Sequence, residues 1–183
     1  MTHAAAEHMR MGMERHEKLM HLALAEAAEA LQEGEFPVGC VLVRDGVAVA
    51  RARRRNSGGP HANELDHAEI VALRQLLRDF PGTDCRRITA YTTMEPCLMC
   101  FAALLLSGIR RFVWAYEDVM GGGTSLPLSQ LPSLYSEMRI ELVPNVLRAE
   151  SLAMFQDFFR RHDYWRDSPL ARYTLAQQPE SRS

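Results

Sequence analysis

The chain predicts an α/β fold, a three-layer α/β/α sandwich around a mixed five-stranded sheet. Three observations predict it. Stretches with apolar residues at helical spacing alternate along the chain with short apolar or β-branched runs. Asp45-Gly46 between two such runs marks a tight antiparallel hairpin. The connection leading to the last run is too long for a hairpin, which suits a parallel crossover.

Over residues 14–33, Met20, Leu24, Ala27 and Leu31 recur on one helical face, and Gly34 supplies the stop. Residues 38–43 and 47–50 are the hairpin strands, and Asn56-Ser57-Gly58-Gly59-Pro60 has the composition of a loop. His67 opens a second helix carrying Ile70, Leu73, Leu76 and Leu77 on one side, ended by Pro81-Gly82. The β-branched and aromatic run 88–93 is the third strand, leading straight into Met94-Glu95-Pro96. Pro96 suits the first turn of a third helix, where its missing N–H costs nothing. Residues 111–116 form the fourth strand, Gly121-Gly122-Gly123 a mobile loop, 128–135 a short helix and 139–143 the fifth strand. A last helix over 147–160 presents Leu152, Phe155, Phe158 and Phe159 to the core. This gives a flexible segment at 1–13, one domain at 14–162, and a polar tail at 163–183. That tail frays or docks in part through Tyr164, Trp165 and Tyr173.

A length of 183 residues suits a single domain with a sizeable core. With 47% hydrophobic and 24% charged residues and no long apolar run, the composition is that of a soluble globular protein, not a membrane-spanning one. The N-terminus lacks the apolar stretch of a secretory signal, and four cysteines fit a reducing compartment, so a cytoplasmic protein is expected. A net charge of −2 argues against a surface that grips long nucleic acid throughout. Positive charge is local and almost wholly arginine, with Lys18 the only lysine. Arg86-Arg87 and Arg110-Arg111 read as solvated strand-end pairs, while Arg51-Ala52-Arg53-Arg54-Arg55 lies nearer the chemistry. His3, His8, His16 and His21 are irregularly spaced with no thiolates around them and read as solvated.

The chemistry is concentrated in His67-Ala68-Glu69 and Pro96-Cys97-Leu98-Met99-Cys100. One imidazole and two thiolates are ligands that zinc prefers, and three protein ligands leave a fourth position open, as in a catalytic site. Cys97 and Cys100 stand one helical turn apart, and a helix N-terminus favours the thiolate form. Glu69, two residues past the histidine, is off the ligand vector but able to carry protons to and from a bound water. No second C-x-x-C or H-x-x-x-H is present to complete a closed structural site. Cys40 sits in an apolar run and reads as a small buried hydrophobe, Cys85 sits in a polar connection, and Glu95 reads as a structural neighbour that bonds backbone amides.

This pairing of H-x-E with P-C-x-x-C resembles the signature of the zinc-dependent nucleobase deaminases, and element order extends the resemblance to the cytidine deaminase superfamily over residues 17–161. Within it the chain is similar to the bacterial tRNA adenosine deaminases and related nucleobase deaminases. Phe36-Pro37-Val38-Gly39, the run Thr93-Met94-Glu95-Pro96-Cys97-Leu98-Met99-Cys100 and Phe158-Phe159-Arg160 match segments of that family. The resemblance implies one zinc per chain on His67, Cys97 and Cys100, Glu69 as the catalytic proton carrier, and substrate contacts from Asn56, Ala68 and Asp118. It also implies a cytidine deaminase-like fold and a homodimer formed through the helices flanking the sheet. The chain departs from the family in having Asn63-Glu64-Leu65-Asp66 where an aspartate-proline-threonine-alanine run is common, in Gly121-Gly122-Gly123, and in lacking a lysine-rich tail.

The implied reaction is hydrolytic deamination. One expected substrate is adenosine at the wobble position of a tRNA anticodon loop, splayed out above the zinc with Arg53 to Arg55 and Arg160 to Arg161 near phosphates. A second is a free base or nucleoside, such as guanine or cytosine. A third reading, an inactive binding subunit of a deaminase complex, is disfavoured by the intact Glu69 and the open metal position.

Overall fold

Five strands form one mixed sheet: β1 (Gly39–Arg44), β2 (Val47–Arg53), β3 (Ile88–Met94), β4 (Arg111–Tyr116) and β5 (Glu141–Val143), in the order β2-β1-β3-β4-β5. The helices are α1 (His3–Gln32), α2 (Ala68–Asp79), α3 (Leu98–Leu106), α4 (Ser133–Ser136), α5 (Arg148–Arg161) and α6 (Pro169–Ala176). The computed structural model describes residues 3–178; the side chains of the first six residues, His3 among them, and residues 179–183 of the tail lie outside the described residues.

The hairpin turn has Asp45 at φ 52° and Gly46 at φ 84°, the left-handed pair that matches strand twist. β1 pairs antiparallel with β2 and β3, whereas β3–β4 and β4–β5 are parallel. The predicted crossover into β5 is therefore present. Alternation along β1 divides the core: Val41 and Val43 meet Leu19, Met20, Ala23 and Leu24 of α1. Cys40 and Leu42 belong to the opposite cluster, with Ala72, Leu73 and Leu76 of α2 and Phe101, Leu104 and Leu105 of α3. α5 packs against both β4 and α1. Helix α1 crosses β1 so closely that a Cβ at Gly39 would lie 2.1 Å from the Ala23 carbonyl oxygen, so the crossing itself requires glycine.

Several elements differ from the sequence expectation. α1 begins at His3, eleven residues before the predicted start, since nothing but Gly12 interrupts good helix formers there. His16 is not solvated: its Nδ1 lies 2.9 Å from the Tyr91 hydroxyl, because α1 carries it over the sheet. β2 runs on to Arg53, which pairs with Gly39. Cys85 is buried, because the single helical turn Cys85–Arg87, capped by Asp84, swings it beneath the end of α3. The tail forms α6, started by Ser168 accepting from the Ala171 amide and Pro169 in the first turn, and it buries Leu170, Ala171 and Thr174.

Candidate active site

His67 and Cys97 are the cap residues of α2 and α3, each extended and each with a side chain that makes no capping bond. Helix α3 thus starts at Leu98, two positions later than Pro96 as the first helical residue would give, because Cys97 keeps extended backbone. Freed from capping, the sulfur of Cys97 turns toward His67. His67 Nδ1 lies 3.5 Å from Sγ of Cys97 and 3.5 Å from Sγ of Cys100. Tetrahedral coordination with bonds of about 2.3 Å to sulfur and about 2.1 Å to nitrogen sets such atoms about 3.6 Å apart. The three ligand atoms lie within 4.8 Å of one another, so the donor set and its spacing fit zinc.

The surroundings prepare Cys97 as a thiolate, while a metal must displace protons from its two partners. The Cys97 thiol is held down to about 4, chiefly by the hydrogen bond from Cys100, against burial and with further help from His67. Cys100, beside that thiolate and more deeply buried, keeps its proton until a metal replaces it. Burial works against protonating His67, but Cys97 and the charge of Glu69 outweigh it and raise its pKa. Glu69 is 3% exposed, and burial together with the Cys97 charge pushes its carboxyl up to about 7. Cys40 is fully buried and its thiol is pushed up by that burial, the inert hydrophobe its sequence context indicates.

A cavity of about 260 Å³ opens beside this cluster, and its lining includes His67, Ala68, Glu69, Cys97 and Asp118 with the apolar walls Phe36, Val38, Met94, Met120 and Leu170. Glu95 and Gly121 also line it, and Arg54, Glu64, Tyr164 and Trp165 complete it, four residues whose meeting there could not be read from local spacing. Only the two neighbouring aromatics in a polar tail hinted at docking. Asn56 is not among the lining residues: its side-chain amide donates to Asp66 at 2.7 Å. Asp118 lines the cavity, though its Oδ1 already accepts from the amides of Met120 and Gly121. Arg53 is taken up by Glu26 and Glu29 of α1 and Glu33 just after it, and Arg54 is 2% exposed and paired with Glu64, so neither points outward. Arg55 remains exposed.

The glycine run is pinned, contrary to the mobile loop the composition suggests. Gly123 donates to the Pro96 carbonyl at 2.9 Å, the Leu98 amide donates to the Gly121 carbonyl at 3.2 Å, and Gly122 bridges to Cys97. A Cβ at Gly123 would stand 2.8 Å from Leu98 Cα. Glycine lets this loop lie directly on the backbone of the metal-binding turn.

The family model of the cytidine and deoxycytidylate deaminase zinc-binding region matches residues 13–116. The chain belongs to that family and is a zinc-dependent deaminase, a hydrolase of C–N bonds. It is 32% identical over 148 residues to a tRNA-specific adenosine deaminase of Bacillus subtilis, covering 81% of this chain and 91% of that one. A protein of the same name from Aquifex aeolicus is 30% identical, covering 79% and 94%. Among solved structures, a tRNA:A34 deaminase matches with TM-score 0.64 at 30% identity over 74% of this chain and 96% of the other. The guanine deaminase of Nitrosomonas europaea, 21% identical, matches with TM-score 0.63 over 78% and 83% and shares the fold. Among the described residues no helix is long and apolar enough to cross a membrane.

Proposed function

We propose that this chain deaminates adenosine to inosine in tRNA, at the wobble position of the anticodon loop. The observation that carries the chemistry is Glu69, buried beside His67, Cys97 and Cys100 at an apolar cavity of base size. Zinc held by those three residues supplies the Lewis acidity that makes water nucleophilic at neutral pH. Glu69 would take one proton from that water and pass it to the ring nitrogen, then take the remaining proton of the added hydroxyl and pass it to the amine, which leaves as ammonia; burial raises its carboxyl toward the range where it can both take and give a proton. Phe36, Met94 and Met120 give the base an apolar slot that excludes competing water. Of the three residues expected to contact the substrate, Ala68 and Asp118 act from the cavity lining, whereas Asn56 supports the loop before His67 through Asp66.

The RNA substrate is supported by the relatives' names and by Arg51, Arg55, Arg74 and Arg78, which surround a shallow concavity beside α2. A working location in the cytoplasm and assembly as a homodimer belong to the same proposal. A second reading, a free base or nucleoside as substrate, draws on Tyr164 and Trp165 in the cavity wall, which leave less room for a loop. Ammonia and inosine are to be measured with an anticodon stem-loop and with free bases and nucleosides. Turnover of the stem-loop, weakening steeply with salt, supports the proposal. Ammonia from guanine or cytosine with an untouched stem-loop overturns it in favour of the second reading.

A further inference from the structure

The loop Asn63-Glu64-Leu65-Asp66 ends at the metal histidine. His67 turns Nδ1 to the sulfurs at 3.5 Å and leaves Nε2 facing Glu64 Oε2 at 3.6 Å. That separation is too long for a hydrogen bond but well within reach of a charge. Two side chains hold the carboxylate, and Asn63 sets the loop that carries it. Arg54 Nη2 donates to Glu64 Oε2 at 3.0 Å, and the Tyr164 hydroxyl donates to the carboxylate at 3.1 Å. Asn63 Oδ1 accepts from the amides of Leu65 and Asp66, both at 2.9 Å, which sets the loop backbone. Arg54 is itself 2% exposed, and its Nη1 has no hydrogen-bond partner among the described residues, so Glu64 is the counter-charge this buried cation has.

We propose that Glu64 is a positioning residue of the metal centre: its carboxylate, held by Arg54 and Tyr164, faces Nε2 of His67 and keeps the ring turned with Nδ1 toward the two sulfurs. Once Nδ1 is on the metal the imidazole proton is on Nε2, and a carboxylate on that side orients the ring and raises its basicity toward the metal. Glu64 also screens His67 from the Arg54 guanidinium, which would otherwise oppose a second cation at this site. The inference rests on His67 being a zinc ligand.

The test is zinc affinity of the full chain by chelator competition, read together with the NMR shift of the His67 Nε2–H in the zinc-loaded protein. Glu64→Gln keeps the contacts with Arg54 and Tyr164 but removes the charge, and Glu64→Ala removes both. Zinc binding is expected to weaken about 10-fold in the glutamine variant and up to about 100-fold in the alanine variant. The Nε2–H resonance is expected further downfield in the parent than in the glutamine variant. If Glu64→Ala fails to fold, the glutamine variant decides. Zinc affinity within about twofold of the parent and an unchanged Nε2–H shift in Glu64→Gln overturn the proposal. A parent that binds no zinc overturns the zinc reading of the site and the proposal with it, a result distinct from the first.

Discussion

Glu95 Oε1 accepts from both the amide and the hydroxyl of Thr124, the amide at 3.3 Å. Its other oxygen takes the Asp118 amide at 3.2 Å, so the residue two before Cys97 is tied to both ends of the glycine run. Sequence spacing indicates such a structural neighbour, and the geometry gives the reason: metal turn, glycine run and cavity wall are bonded to one another through it. A site that gathers two sulfurs around one ion needs that stiffness.

Gly123→Ala tests it. The added Cβ meets backbone atoms of Leu98, at 2.8 Å and 2.9 Å, which cannot swing aside as a side chain can. The variant should lose about 1–3 kcal/mol of stability in denaturant unfolding. Its zinc content per chain should fall, and unchanged stability would show that the loop has slack.

Glu69→Ala should retain the fold and zinc while losing turnover by at least about 10²-fold, the usual contribution of a placed acid–base group. Steady-state ammonia release alongside zinc analysis checks it. A zinc-loaded alanine variant with parental activity would remove Glu69 from the mechanism.

The metal-site residues are legible in sequence because each motif is local: one position between His67 and Glu69 and two between Cys97 and Cys100 fix their relation to a helix start. The hairpin and the alternation of β1 are legible for the same reason. Glu64 and Arg54 are not, since their meeting depends on the end of β2 and the loop before α2 arriving at the same wall. Helix α6 was readable in principle from Ser168-Pro169, a cap followed by proline, but the surrounding polar residues mask its buried stripe of Leu170, Ala171 and Thr174. His16 lacks any local signal, because its partner Tyr91 is 75 residues away.

The tail should contribute measurably to stability. Leu170 is 2% exposed within the core, and Leu170→Ala should cost about 2–5 kcal/mol. A thermal or denaturant midpoint close to the parent's would mean the tail is only loosely attached.

A pH-dependent clamp ties that tail to β4. Burial opposes ionisation of Glu117, but hydrogen bonds from Arg148, at 2.5 Å and 2.8 Å, and from Tyr173, at 2.7 Å, outweigh it and hold its pKa below the ordinary 4.5. A depressed folded-state pKa gives stability that is present above 4.5 and lost as pH falls through the folded value. Glu117→Gln should therefore melt lower than the parent at neutral pH, and the two melting curves should converge on acidification. A gap that persists in acid would assign the effect to shape, not charge.

The most direct measurement of the account is metal analysis of the purified chain combined with X-ray absorption at the zinc edge. The account predicts one zinc per chain bound by two sulfurs, one imidazole nitrogen and one light-atom ligand from solvent. Absence of stoichiometric zinc, or four side-chain ligands closing the ion off from water, would contradict it.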